Sequence, residues 1–211
     1  MLFRSWSGTL QRSISTIVRQ NNFAGKITGL YFGVSNRKTE HPDDSMLGWF
    51  TDARDPRALT LKTYIVPMTE LFTTALHGGV KSHEHTGNGY TPVLLEEENL
   101  SGLEWGVSIQ HQSMLDYANL ISKDPELMDA VLRAEVLDML ECNYEQFLLT
   151  PTYLEARTYG AYPEAEDQNE SYHFPLAKSY SLLERALLVF RPNYLHHHNE
   201  WQAAAKTLTK N

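Results

Sequence analysis

Trp6-Ser7-Gly8-Thr9-Leu10-Gln11 and, beyond a turn at Asn21-Asn22 and Gly25, Ile27-Thr28-Gly29-Leu30-Tyr31-Phe32-Gly33-Val34 decide the fold class. Ser7 and Thr9 are good N-cap types. Leu10, Ile14, Ile17 and Val18 recur at helical spacing, which predicts a helix from about Thr9 to about Gln20. The second stretch is a short apolar run rich in aromatic and branched residues, the composition of a buried strand. The order is loop, helix, strand. Two readings fit the turn. It is an ordinary capped helix start, or it is an anion site, because Gly8 lets a ligand approach the backbone while orphan N–H groups and the helix dipole point toward it.

The whole chain bounds the answer further. Its 211 residues suit one domain or one domain with an appendage, and can bury a real core. A formal charge of -8 with scattered Lys and Arg leaves no basic stripe, so a nucleic-acid binder is not expected. The lone Cys142 cannot form an intrachain disulfide, fits a reducing cytoplasm, and reads as a small core residue on a helix rather than a nucleophile. No run reaches the roughly 20 apolar residues of a membrane span, and Arg4, Gln11 and Arg12 break the only N-terminal candidate. No internal repeat or glycine-rich linker is present, which favours one continuous unit.

The two opening stretches, together with Glu70-Leu71-Phe72 through His77-Gly78-Gly79-Val80 and Thr91-Pro92-Val93-Leu94, resemble the haloacid-dehalogenase-like (HAD-like) proteins found with, or fused to, glycosyltransferases of bacterial surface-polysaccharide synthesis. The likeness covers most of residues 5–120, with weaker echoes at Pro151-Thr152-Tyr153-Leu154-Glu155-Ala156, Tyr159-Gly160 and Trp201. It implies an incomplete Rossmann-like (HAD-like) parallel sheet over residues 1–121, with a variable loop at 35–63, and a helical extension packed on it over 122–211. The fold class expected is therefore α/β and helix-rich. It also implies a ligand site of Trp6, Ser7, Gly8, Thr9, Gln11, Glu70 and His77 for a sugar phosphate or nucleotide sugar, and a glycosyltransferase domain or partner.

The departures matter as much. Phe3 stands where the family closes a strand with an acidic residue, and only Met1-Leu2-Phe3-Arg4-Ser5 precede the turn. The Asp-x-Asp nucleophile and general acid, the Ser or Thr and the Lys of HAD-like phosphatases would all fall upstream. The chain therefore reads as a remnant or C-terminal portion of a hydrolase-related protein, inactive alone. An active parent would be a magnesium-dependent phosphohydrolase. An incomplete sheet would leave Ile27 to Val34 unpaired, a route to self-association.

The remaining stretches carry weaker signals. Met46 to Phe50 reads as a short strand in a charged loop, with Trp49 and Phe50 lining either a sugar pocket or the core. Pro67 opens a helix whose apolar face runs to Leu76 and which Gly78-Gly79 ends, so Glu70 and His77, two turns apart, would share a face. His83-Glu84-His85 would put two imidazoles on one side of an extended segment, short of the third ligand a zinc or iron site needs. His196-His197-His198 splay around a helix. From Glu104 the chain turns helical, interrupted at Ser122-Lys123-Asp124-Pro125, with a stop at Asn143, a short helix after Thr150-Pro151, an acidic loop from Tyr162 to Asn169, a helix from Lys178 to Phe190 and a last one near Trp201. Two alternatives stand beside the HAD-like remnant: a non-catalytic binding or scaffolding module for a glycosyltransferase, and a metalloprotein using His77, His83 and His85.

Overall fold

The computed structural model describes residues 8–34, 39, 41–52, 67–87, 89–131, 133–165, 172–190 and 199–210. They belong to two compact units, one within Leu2–Val66 and one within Pro67–Asn211. The boundary expected at residues 121 and 122 falls instead at the end of a helix inside the second unit. Trp6, Ser7, most of the 35–63 loop and His196-His197-His198 lie outside the described residues.

The first unit holds helix α1 (Thr9–Gln20) and strands β1 (Thr28–Gly33) and β2 (Ser45–Thr51). The two strands pair in parallel, from Thr28 opposite Ser45 to Gly33 opposite Thr51, with a bulge between Tyr31 and Gly33. Helix α1 arrives where periodicity placed it, but the side it buries is not the apolar one. Leu10, Ile14 and Ile17 are 45%, 45% and 58% exposed, whereas Gln11 and Ser15 are buried. Polar side chains face inward because each finds a partner there, which removes the cost of burying them.

Asp44 is the centre of that arrangement. Its side chain is almost fully buried, and its carboxylate accepts from the Ser15 hydroxyl at 2.6 Å, the Arg19 guanidinium at 2.6 Å and the Ile27 N–H at 3.0 Å. Arg19 also donates to the Gly25 carbonyl at 3.2 Å. One carboxylate therefore ties α1 to the entries of both strands. The Ser15 hydrogen bond, then the Ile27 N–H and Arg19, hold the Asp44 carboxyl below its ordinary range, against the opposing effect of burial.

In the second unit residues 67–73 form α2. A β-hairpin follows, β3 (Val80–Thr86) antiparallel to β4 (Gly89–Leu94). Helices α3 (Leu100–Trp105) and α4 (Val107–Ser122) are separated at Gly106, whose φ of 116° only glycine adopts cheaply. Then come α5 (Pro125–Val131), α6 (Ala134–Leu149), α7 (Tyr153–Gly160), a short antiparallel pair β5 (Pro163–Ala165) and β6 (His173–Pro175), α8 (Leu182–Phe190) and α9 (Gln202–Lys210).

Caps set several of these ends. Asn99 accepts from the Gly102 N–H to start α3, Asp124 accepts from Glu126 and Leu127 to start α5, and Thr152 with Glu155 forms a capping box on α7. Ser181 and Glu184 exchange the same pair of bonds at α8, so that helix starts later than Lys178. The expected stop at Asn143 is corrected: α6 runs through it to Leu149, because an exposed Asn is tolerated mid-helix when flanking residues pack. Cys142, expected in the core, is exposed on the same helix. The acidic loop expected from Tyr162 begins instead with β5.

The core of this unit is aromatic. Phe147 meets Phe72, Tyr159 and Trp201 with ring centroids 6.4, 5.3 and 5.0 Å apart, and Trp105 meets Tyr159 and Tyr162. Trp201 is fully buried and donates its indole N–H to the Leu148 carbonyl at 2.8 Å, which joins the segment before α9 to the end of α6. Both units mix helix and strand, and every sheet among the described residues has two strands.

Two outcomes follow. Asp44→Asn lowers the melting temperature at pH 7 in circular dichroism. Because the folded-state pKa is depressed, the parent's advantage is present above the ordinary value of 3.8 and shrinks as pH falls below it, so the two curves converge in acid. Trp201→Ala costs ~3–5 kcal/mol in urea unfolding through the lost packing and hydrogen bond, and a loss under ~1 kcal/mol would contradict the packing described.

Candidate functional site

Gly8 is the N-cap of α1 with φ 74°, a left-handed conformation, so Thr9 stands inside the helix rather than at its cap, while Ser7 lies outside the described residues. The close approach that Gly8 permits is taken by Met46, whose sulfur and methyl group lie where a Cβ would project. Thr9 accepts from the Arg12 guanidinium at 3.2 Å.

Gln11 is buried and spans the two strands. Its amide N–H groups donate to the Ser45 carbonyl at 3.0 Å and the Ile27 carbonyl at 3.4 Å, and its carbonyl accepts from the Tyr31 hydroxyl at 2.9 Å. Gly29 leaves room for it, since a Cβ there would push aside the Gln11 carbonyl oxygen and the Tyr31 ring. Burial raises the Tyr31 pKa and keeps that hydroxyl a donor. Gly8, Thr9 and Gln11 adjoin because they are sequence neighbours at one helix start, and Gln11 is committed to the backbone of the strands.

Glu70 and His77 belong to the second unit. Helix α2 ends at residue 73, so the two do not share a helical face as the spacing implied. At that end the Thr73 and Thr74 hydroxyls donate back to the Thr69 and Glu70 carbonyls at 2.8 Å. The segment after them is tied elsewhere: the Asn99 N–H donates to Leu76 and the Gly78 N–H to Glu96. His77 contacts the Gly78 carbonyl through Nδ1 at 2.8 Å. Nearby, burial pushes the Tyr144 phenol up to about 12, against a smaller opposing effect from the Thr69 hydroxyl.

His83 and His85 lie on one face of the exposed hairpin, opposite Pro92 and Tyr90, and the His85 and Tyr90 rings meet edge-on at 5.2 Å. Among the described residues no group of three or more His, Cys, Asp or Glu side chains gathers to hold a metal ion. Trp49 and Phe50 divide: Phe50 is buried and stacks with Phe32 at 5.3 Å, while Trp49 is 54% exposed.

What sequence reasoning missed is the face outside this layer. Leu30 and Leu47 are register partners on the side of the sheet away from Gln11, and they are 80% and 45% exposed. With Trp49 they form an open apolar strip. The signal was present in the alternation of Leu47 and Trp49 with Met46 and Phe50. The chain matches no protein-family model, no curated protein and no solved structure. No helix among the described residues is long and apolar enough to cross a membrane.

Replacing Gln11 by Ala removes its bonds to the Ser45 carbonyl, the Tyr31 hydroxyl and the Ile27 carbonyl, the last of which keeps the Ser45 N–H, and costs roughly 1–3 kcal/mol in chemical denaturation. An alanine variant as stable as the parent would show that Gln11 is not the link between the strands.

Proposed function

We propose that the chain acts as a non-catalytic binding or scaffolding module, derived from a HAD-like Rossmann-type α/β domain, that docks onto a glycosyltransferase of surface-polysaccharide synthesis in the cytoplasm. The observation that carries the docking part is the uncovered face of the parallel pair. Parallel strands are ordinarily covered on both faces, yet here α1 covers one and Leu30, Leu47 and Trp49 stand open on the other. A further protein layer would complete such a sheet. The use of Gln11 as a strand clamp supports a turn kept for the fold rather than for a sugar phosphate. The glycosyltransferase as partner, and magnesium as the ion of an active parent, rest on the resemblance at Trp6 to Gln11 and Ile27 to Gly33.

Affinity purification of the tagged chain from its own source is expected to bring down a glycosyltransferase in near-equal amount, with no release of phosphate from sugar phosphates in magnesium buffer. Recovery of the chain alone, or magnesium-dependent phosphate release abolished by EDTA, would overturn this reading.

A further inference from the structure

Resting on the docking-module reading, we propose that the helical segment α4–α6 is the seat of a basic amphipathic helix contributed by a partner protein. Beyond Gln110, α4 is exposed on nearly every side, and α5 and the first half of α6 are little better covered. A helix with apolar residues in plenty is ordinarily buried, and exposed apolar area of this extent marks a contact site. Ile109, Tyr117 and Leu120 are 73%, 63% and 62% exposed, and at about 100° per residue they fall on one side of α4.

Methionine placement gives the surface its character. The chain has six methionines. Met46 and Met68 are buried, whereas Met114, Met128 and Met139, all on this segment, are 47%, 40% and 52% exposed. Unbranched, polarisable thioethers repack around varied apolar side chains, which suits a surface that receives a helix rather than one that packs rigidly.

Charge selects the occupant. Residues 107–149 carry eight Asp or Glu against Lys123 and Arg133, a net -6 of the chain's formal -8. Asp138, Glu141 and Glu145 line one edge of α6, and Asp116 flanks the Ile109 and Leu120 side of α4. Two such segments from two copies would repel each other. A helix with Leu-type residues on one face and Lys or Arg on the other satisfies both features, by the helix-in-groove mode of recognition.

The test uses the full chain and a fluorescein-labelled amphipathic peptide of about 20 Leu and Lys residues, long enough to span α4 as a helix, with a Leu and Glu peptide of the same pattern as control. Fluorescence anisotropy is expected to show saturable binding of the Lys peptide only. Binding should weaken roughly tenfold or more in Leu120→Asp, and likewise in the triple charge variant Asp116→Asn, Glu126→Gln, Asp138→Asn, whose substitutions are all at exposed positions. Absence of binding, equal binding of the Glu peptide, or binding undiminished in both variants overturns the proposal. So does sedimentation showing a dimer that Leu120→Asp dissociates, which would assign the surface to a second copy. Recovery of a glycosyltransferase from the native source is independent of this peptide. Its success with failure of the peptide would leave the docking reading standing on another surface.

Discussion

One buried carboxylate holds the first unit together. Asp44 receives a hydroxyl from α1, a guanidinium from α1 and a backbone N–H at the entry to β1, and it immediately precedes β2. Burying a charge is tolerable only when its partners replace water, and here three do. The consequences run outward. Because Ser15 and Arg19 must reach Asp44, and Gln11 must reach the strand carbonyls, the polar positions four apart on α1 face inward. The apolar positions Leu10, Ile14 and Ile17 are thereby turned outward.

That inversion separates what could be read in the sequence from what could not. The limits of α1 and the positions of β1 and β2 followed from periodicity and turn residues. Which side of α1 is buried did not, because apolar spacing identifies a stripe without saying what else competes for the interior. The competing pattern was there, in Gln11, Ser15 and Arg19 at helical spacing, but it acquires meaning only once Asp44, far along the chain, is known to lie beneath it. In the second unit the helix interruption at Ser122 to Pro125 was legible, since Asp124 is a strong cap. The divide at Gly106 is a local glycine conformation that apolar periodicity passes over, whereas the persistence of α6 past Asn143 goes with the packing of Phe147 in the aromatic core.

The candidate site divides in the same way. Gly8, Thr9 and Gln11 are neighbours in sequence, and side-chain chemistry alone could not say whether Gln11 would face a ligand or the strands. The expected pairing of Glu70 with His77 assumed a helix about one turn longer than the one that ends at residue 73. Motif spacing carries distance only while the secondary structure between its ends is right. The exposed apolar strip of Leu30, Leu47 and Trp49 and the Met-bearing α4–α6 segment had no motif at all, and their significance comes from exposure.

Taken together, the polar groups of these units serve the fold, while the apolar groups left outside are the ones with work remaining. Hydroxyl-radical footprinting of the chain, free and in the complex recovered from its own source, tests this most directly. The account predicts strong labelling of Trp49, Met114, Met128 and Met139 in the free chain, protection of those residues in the complex, and little labelling of Met46 and Met68 in either. Equal labelling of the exposed set in both states would contradict it.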